Sequence, residues 1–511
     1  MSKIAFASIL LSFLFLQTAP VNSQTPSPTA TPIVIATPRP TPQEESPIVT
    51  KHSIRAGARQ LNYTVTTGFM PLKNRDGDTE ARIFFMAYTL DGVTNPATRP
   101  LMFSFNGGPG SASVWLHLGA LGPKRVRMED DGMMPAPPYD LVDNEQTWLT
   151  ETDLVFIDPV GTGYSRVVRQ DQTAKYFSLN GDIESVGEFI RLYLTRHERW
   201  MSPLFLVGES YGTTRASGLS NYLFEKGIAL NGIALVSTVM NFQTIRFNEG
   251  NDVPYILIFP SYAATAWYHK KLPAEMQRKP LAEVLREAED FASRDLTVAL
   301  AGGDRMSEAE KQKTLDRFAA LTGLNKTFID NNNFRVELGN FNKELLRDRK
   351  RTTGRLDSRF TGIDRSAGGN NPDFDPSMTA IRPPYTAAFN DYVRRELGFK
   401  SDLEYYILGG GIGQWNWNTN NNYADTSTAL KTAMAKNPFM KLFVASGYYD
   451  MATPYFAAEH TLATMNLDPQ LRRNVTTAYY EAGHMMYIEK RSLEKLKRDV
   501  TAFLQNAIKK Q

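Results

Sequence analysis

Leu204-Phe205-Leu206-Val207-Gly208-Glu209-Ser210-Tyr211-Gly212 opens as an unbroken apolar run, closes in a G-x-S-x-G turn, and is followed over residues 215–224 by a stretch with helical spacing. Four apolar residues without alternation read as a strand buried on both faces. A strand that turns into a helix within so few residues needs a tight turn, and a side chain two residues either side of the serine would collide with neighbouring backbone. A serine at the apex presents its hydroxyl at the end of the sheet, where a nucleophile elbow belongs. Alone, the motif could equally be an ordinary glycine-bounded turn.

Outward from this point the pattern repeats. Residues 81–88, 101–105, 154–157 and 233–236 are short runs rich in Val, Ile, Phe and Leu and read as strands, the first two as an antiparallel lead-in. Helical spacing over 183–193 and 215–224 gives the strand–helix alternation of a largely parallel sheet covered by helices. From about residue 245 to 400 that alternation gives way to charged helical segments, at 281–292 and 307–321, and to polar loops around Gly368-Gly369-Asn370-Asn371-Pro372; this reads as an inserted, largely helical cap. The aromatic-rich stretch 255–268 within it reads as buried core, with lining of a pocket as the alternative. Strands resume at 441–445 and 475–480, before a closing helix over about 493–508. The expected fold class is therefore α/β, with a mostly parallel central sheet, flanking helices and a cap.

Phe105-Asn106-Gly107-Gly108-Pro109-Gly110 ends an earlier strand, and glycines there let main-chain N–H groups approach a substrate. It lacks the Gly-Lys-Ser/Thr ending of a phosphate-cradling loop. With the elbow it supplies two oxyanion donors: the amide after the nucleophile, Tyr211, and Gly108. A serine hydroxyl needs a base, and that base needs a third group to hold its tautomer. Of the histidines after Ser210, His269 lies in the expected cap and His460 in a helical stretch, leaving His484, in Glu481-Ala482-Gly483-His484 beyond a strand. Asp450 ends the run Lys441-Leu442-Phe443-Val444-Ala445-Ser446-Gly447-Tyr448-Tyr449-Asp450 and is the acid, with an ordinary turn aspartate as the alternative. Neither HExxH nor a cysteine-based zinc pattern is present, so no metal and no cofactor is expected.

At the N-terminus, Lys3 precedes an apolar run over residues 4–16, and small residues follow at Val21 and Ser23. This is a secretory signal pattern over 1–23, too short for a spanning helix. Residues 24–48 form a Pro/Thr-rich linker. The folded domain is expected over 49–511. The 511 residues include no cysteine, so an exported chain would fold without disulfides, which suits a bacterial periplasm or exterior. Of the chain, 42% is hydrophobic, and 57 basic residues are offset by 54 acidic ones to a net charge of +3. Such a balance gives no reason to expect nucleic acid as a partner.

Together, Asn106 to Gly110, Gly208 to Gly212, Ser446-Gly447 through Asp450 to Pro454, and Ala482-Gly483-His484 resemble the serine carboxypeptidase family, in that family's order. The likeness runs over about 55–505 and includes Leu121-Gly122-Pro123, Trp148 and residues 158–165. It implies an α/β-hydrolase fold with a helical cap, a Ser210–Asp450–His484 triad, Gly108 and Tyr211 as oxyanion donors, and a peptide substrate with a free C-terminus. It also implies that Asn106 and Glu209 hold the substrate's free carboxylate. Where the family carries a second glutamate, before Leu-Gly-Pro, this chain has Ala120, and the proline usual after the histidine is replaced around Tyr487. Lys124 or Arg125 is then a substitute contact for the carboxylate. An esterase or acyltransferase on the same fold, or a non-catalytic envelope protein, is the alternative function.

Overall fold

The structure, a computed structural model, describes residues 45–509; the expected signal sequence and most of the expected linker lie outside the described residues. The sheet is built from β1 (Ile48–Ala56), β2 (Arg59–Lys73), β3 (Thr79–Leu90), β4 (Leu101–Phe105), β5 (Asp153–Ile157), β6 (Leu204–Ser210), β7 (Gly232–Thr238), β8 (Lys441–Gly447) and β9 (Val475–Tyr480). Its order is β1-β2-β3-β5-β4-β6-β7-β8-β9, with Arg166–Val167 adding a short pairing to β3. β1, β2, β3 and β5 pair antiparallel in succession, and every pair from β5 to β9 is parallel. This is the α/β-hydrolase architecture that the sequence implies.

One detail is corrected. The expected lead-in of 81–88 against 101–105 is not a hydrogen-bonded pair, because β5 lies between the two. Both strands prefer a partner that buries their second face, and β4 at the centre is buried at every residue. The sheet also begins earlier than the runs named from sequence. In β2 the alternating Leu61, Tyr63 and Val65 turn inward, the period-two signature of a strand with one wet face.

That alternation sorts side chains between two cores. Phe205 and Val207 of β6 join the cluster beneath the C-terminal helix Lys490–Ile508, with Leu493, Leu496, Val500 and Phe503. Leu204 and Leu206 join the opposite cluster, against α1 (Leu179–Arg196) and α2 (Tyr211–Glu225). Between β7 and β8 lies a mainly helical segment with its own core, including α3 (Val253–Tyr268), α4 (Leu281–Phe291) and α5 (Glu308–Thr322). α4 buries Leu281, Val284, Leu285, Ala288 and Phe291, an i, i+3, i+4, i+7, i+10 stripe. α5 starts at a capping box of Ser307 and Glu310. In α3, Tyr255, Phe259 and Tyr262 are core, while Pro254 and Ile258 line the cavity described next. Among the described residues, no helix is long and apolar enough to cross a membrane.

Candidate active site

The C-terminal ends of adjacent parallel strands carry the candidate residues. β6 ends in Ser210, whose backbone is held at φ 59°, ψ −131°. That left-handed conformation is costly for a residue with a Cβ and is maintained by the strand behind it and α2 ahead of it. The close approach of backbone explains two glycines. A Cβ on Gly208 would sit 2.2 Å from the Gly212 carbonyl oxygen, and one on Gly107 would lie 2.5 Å from the Tyr211 nitrogen. Ser210, Gly108 and Tyr211 line one cavity of about 320 Å³. Tyr211 heads α2, where the first N–H groups have no intrahelical acceptor.

β8 runs into Asp450 and β9 into His484. His484 Nδ1 and Asp450 Oδ2 are 2.7 Å apart. The carboxylate also accepts from the Ala452 and Thr453 amides at 2.8 and 2.9 Å and from Thr453 Oγ1 at 2.7 Å, so it is fully engaged and fixed in position. His484 is anchored at both ends of its backbone: its N–H donates to the Leu356 carbonyl at 2.7 Å, and its carbonyl accepts from Ser237 Oγ at 2.6 Å. Burial disfavours the imidazolium, but the Asp450 charge and hydrogen bond, helped by Glu209, outweigh it and hold the His484 pKa above its ordinary value. Among the described residues Ser210 Oγ and His484 share no direct hydrogen bond, a gap common before substrate closes the site. The other two histidines are elsewhere: His460 lies in the helix Tyr455–Thr464, and His269 Nε2 is bound to the Ser358 carbonyl at 2.8 Å.

Asn106 and Glu209 lie side by side behind the elbow, both buried. Asn106 Oδ1 accepts from the Leu116 amide at 3.1 Å, while its Nδ2 is buried close to Glu209 and Tyr487 without a well-formed hydrogen bond. Burial raises the Glu209 pKa to about 7, against the pull of His484, Tyr487 and Asn106. The Tyr487 hydroxyl donates to Glu209 Oε2 at 2.5 Å. Ala120 is buried in the turn His117–Leu121, and a Cβ on the adjacent Gly119 would meet the Tyr487 ring at 2.4 Å. The Tyr487 phenol, carried on the histidine loop, thus packs against the turn that contains Ala120 and bonds to Glu209.

Lys124 is not available to a substrate carboxylate, being paired with Asp143 at 2.8 Å and Glu396 at 3.9 Å. Arg125 sits in the short strand Lys124–Val126 and its charge acts on the Tyr385 hydroxyl, which also feels Glu209. Sequence reasoning missed a clamp. Arg215 of α2 donates to Asp182 of α1 at 2.8 Å and to the Asn106 carbonyl at 2.7 Å, and the Tyr211 hydroxyl donates to the same carboxylate at 2.9 Å. This buried ion pair ties the glycine loop to the elbow. A charged residue on the first turns of the helix after a G-x-S-x-G, on an otherwise buried face, is the signal that marked it.

The nucleophile-type serine in a strained strand-to-helix turn, with a histidine–aspartate pair on later strands, defines the serine hydrolases of the α/β-hydrolase fold. The serine carboxypeptidase family profile matches residues 57–498, and the chain belongs to that family. It is 25% identical over 244 residues to serine carboxypeptidase S10 family member 1 of Dictyostelium discoideum, covering 47% of this chain and 53% of that protein. It is 30% identical over 196 residues to serine carboxypeptidase-like 16 of Arabidopsis thaliana, covering 36% and 42%. The matched stretch thus spans about half the length of these relatives, both eukaryotic. In structure it is similar to Kex1(delta)p, a prohormone-processing carboxypeptidase from Saccharomyces cerevisiae, with a TM-score of 0.50, 17% identity, and coverage of 87% of this chain and 91% of that one. At that identity the likeness concerns the fold.

Proposed function

We propose that the protein releases C-terminal residues from peptides through an acyl-enzyme. Ser210 Oγ attacks the scissile carbonyl carbon while its proton passes to His484 Nε2, and Asp450 holds the imidazole in the required tautomer. The oxyanion is received by the amides of Gly108 and Tyr211. The C–N bond then breaks, the leaving amine takes the proton from His484, and water, deprotonated in turn by His484, hydrolyses the ester. Asn106 and Glu209 hold the free carboxylate of the departing residue.

The observation that carries this reading is the buried Glu209, whose pKa burial has raised to about 7, with Asn106 Nδ2 close beside it but in no well-formed hydrogen bond. A carboxyl that can keep its proton next to an amide N–H that is not fully satisfied is what a substrate carboxylate would complete. An esterase or acyltransferase is the second reading, favoured by Ala120, which leaves the carboxyl pair incomplete. The apolar leader supports export, and the absence of cysteine suits a bacterial periplasm or exterior better than a eukaryotic secretory path; N-terminal sequencing of secreted protein beginning at Gln24 tests the export.

The activity is tested by mass spectrometry of one peptide in free-acid and C-terminally amidated forms, with Ser210→Ala as control. Stepwise loss of C-terminal residues from the free acid alone, absent in the control, is expected. Equal cleavage of both forms would refute carboxylate recognition, and cleavage of esters alone would transfer the assignment to an esterase.

A further inference from the structure

The cavity beside Ser210 is lined by charged side chains of one sign. Arg246 and Arg355 border it, and no Asp or Glu does. Arg246 follows the turn Phe242–Thr244, and its guanidinium lies over the Phe242 and Trp417 rings at 5.4 Å each, contacts that orient a cation without neutralising it. Arg355 precedes Leu356, whose carbonyl accepts the His484 amide, so it rides on the loop that fixes the histidine. Asp375 accepts from the Arg355 and Leu356 amides and from Ser377, not from the Arg355 guanidinium.

Among the described residues neither guanidinium has an ion pair or a side-chain hydrogen bond. Three other arginines of the same segment are paired, Arg335 with Asp252, Arg347 with Glu344 and Arg359 with Asp357. Both side chains reach solvent, but partial burial of Arg246 and the charge of Arg355 beside it still work against its charge, which an anion between the two would offset. The cavity's lining includes Gly108, Ser210 and Tyr211 but none of Asn106, Glu209 and Tyr487. If those three face the departing residue, the cavity faces the acyl side of the scissile bond. Its remaining wall, with Phe247, Ile258 and Trp417, suits the methylene stem of a longer acidic side chain.

We propose that Arg246 and Arg355 make this cavity a subsite for a carboxylate side chain, so that the enzyme selects Glu or Asp as the residue contributing the acyl group. The proposal rests on the peptidase reading for the identity of the substrate, though not for the subsite itself. The test compares N-acyl-Glu and N-acyl-Gln p-nitrophenyl esters, and peptides with Glu or Gln either penultimate or C-terminal, on the native protein and on Arg246→Gln/Arg355→Gln.

The expected result is a preference for Glu over Gln of about tenfold or more in kcat/KM, on the esters and at the penultimate position, as for a charge-assisted contact. It should shrink with added salt, because both arginines reach solvent. In the double variant the Glu/Gln ratio should fall to within about twofold. A native ratio near one, or a ratio the variant leaves unchanged, overturns the proposal, and a preference confined to the C-terminal position overturns the acyl-side assignment. The native Glu/Gln ratio stands as a test even if the variant fails to fold. Ester selectivity without peptide cleavage would sink the peptidase reading and leave the subsite standing; peptide cleavage without selectivity would do the reverse.

Discussion

Replacing Tyr487 by Phe removes one hydroxyl from the buried carboxyl whose ionisation, in the proposed role of Glu209, governs substrate binding. Glu209 has a pKa of about 7 because burial disfavours its charge, and the Tyr487 hydrogen bond, like the nearby His484, opposes that rise while Asp450 adds to it. A hydrogen bond to a charged group is worth about 1.5–3 kcal/mol, or roughly one to two pH units at 1.36 kcal/mol per unit. Without it the Glu209 pKa rises further. Protonated Glu209 can donate to a substrate carboxylate and ionised Glu209 repels it, so binding is present below the pKa and lost above it. In Tyr487→Phe the alkaline limb of kcat/KM for a free-acid peptide should therefore move up by about one to two units. An ester substrate without a free carboxylate should show no such displacement. The assay is kcat/KM from pH 5 to 9 for both substrates. An alkaline limb that stays in place, moves down, or moves equally for the ester would refute the argument.

The same carboxyl has a consequence for stability. A rise from the ordinary 4.5 to about 7 means that the folded state binds more protons between those values, so this group's contribution falls as pH climbs through that window and is constant above it. Glu209→Gln should be stabilised relative to the native chain by roughly 2–3 kcal/mol at pH 8 and be nearly neutral at pH 4.5, as read by chemical denaturation; equal effects at both pH values would contradict it. Arg215→Met leaves Asp182 buried and uncompensated at 4% side-chain exposure, and should cost about 3–5 kcal/mol in denaturant titrations. Restoring neutrality with Asp182→Leu in the same chain should recover much of that loss, and no recovery would mean that the pair is not the cause.

Much of this site was legible because its chemistry is carried by short local patterns. Ser210, Asp450 and His484 each follow an apolar run, and strand ends can be placed from such runs without knowing the strand order. The order itself depends on non-local pairing, which is why β5 between β3 and β4 was not foreseen. Tyr487 was visible only as a departure from a pattern. Its bond to Glu209 joins residues 278 positions apart, and nothing in the local sequence encodes that. Asp182 and Arg215 are ordinary charges on two helical stretches until the helices are packed together. Arg246 and Arg355 likewise acquire meaning only when the fold brings them to one cavity and leaves their counter-charges elsewhere.

The segment between β7 and β8 encloses its own apolar cluster, with Phe259, Phe291 and Phe318 at its centre, and only one margin of it touches the cavity. The serine, aspartate and histidine hang instead from strands whose packing is completed on the two faces of the sheet. The cavity wall therefore has two kinds of support: Phe247 and Ile258 belong with this separately packed segment, whereas Phe242 and Trp417, under Arg246, pack with the sheet, and Arg355 adjoins the carbonyl that anchors His484. On the proposed function, a change at Phe247 or Ile258 would reshape the wall alone, while a change at Arg355 would also reach the histidine.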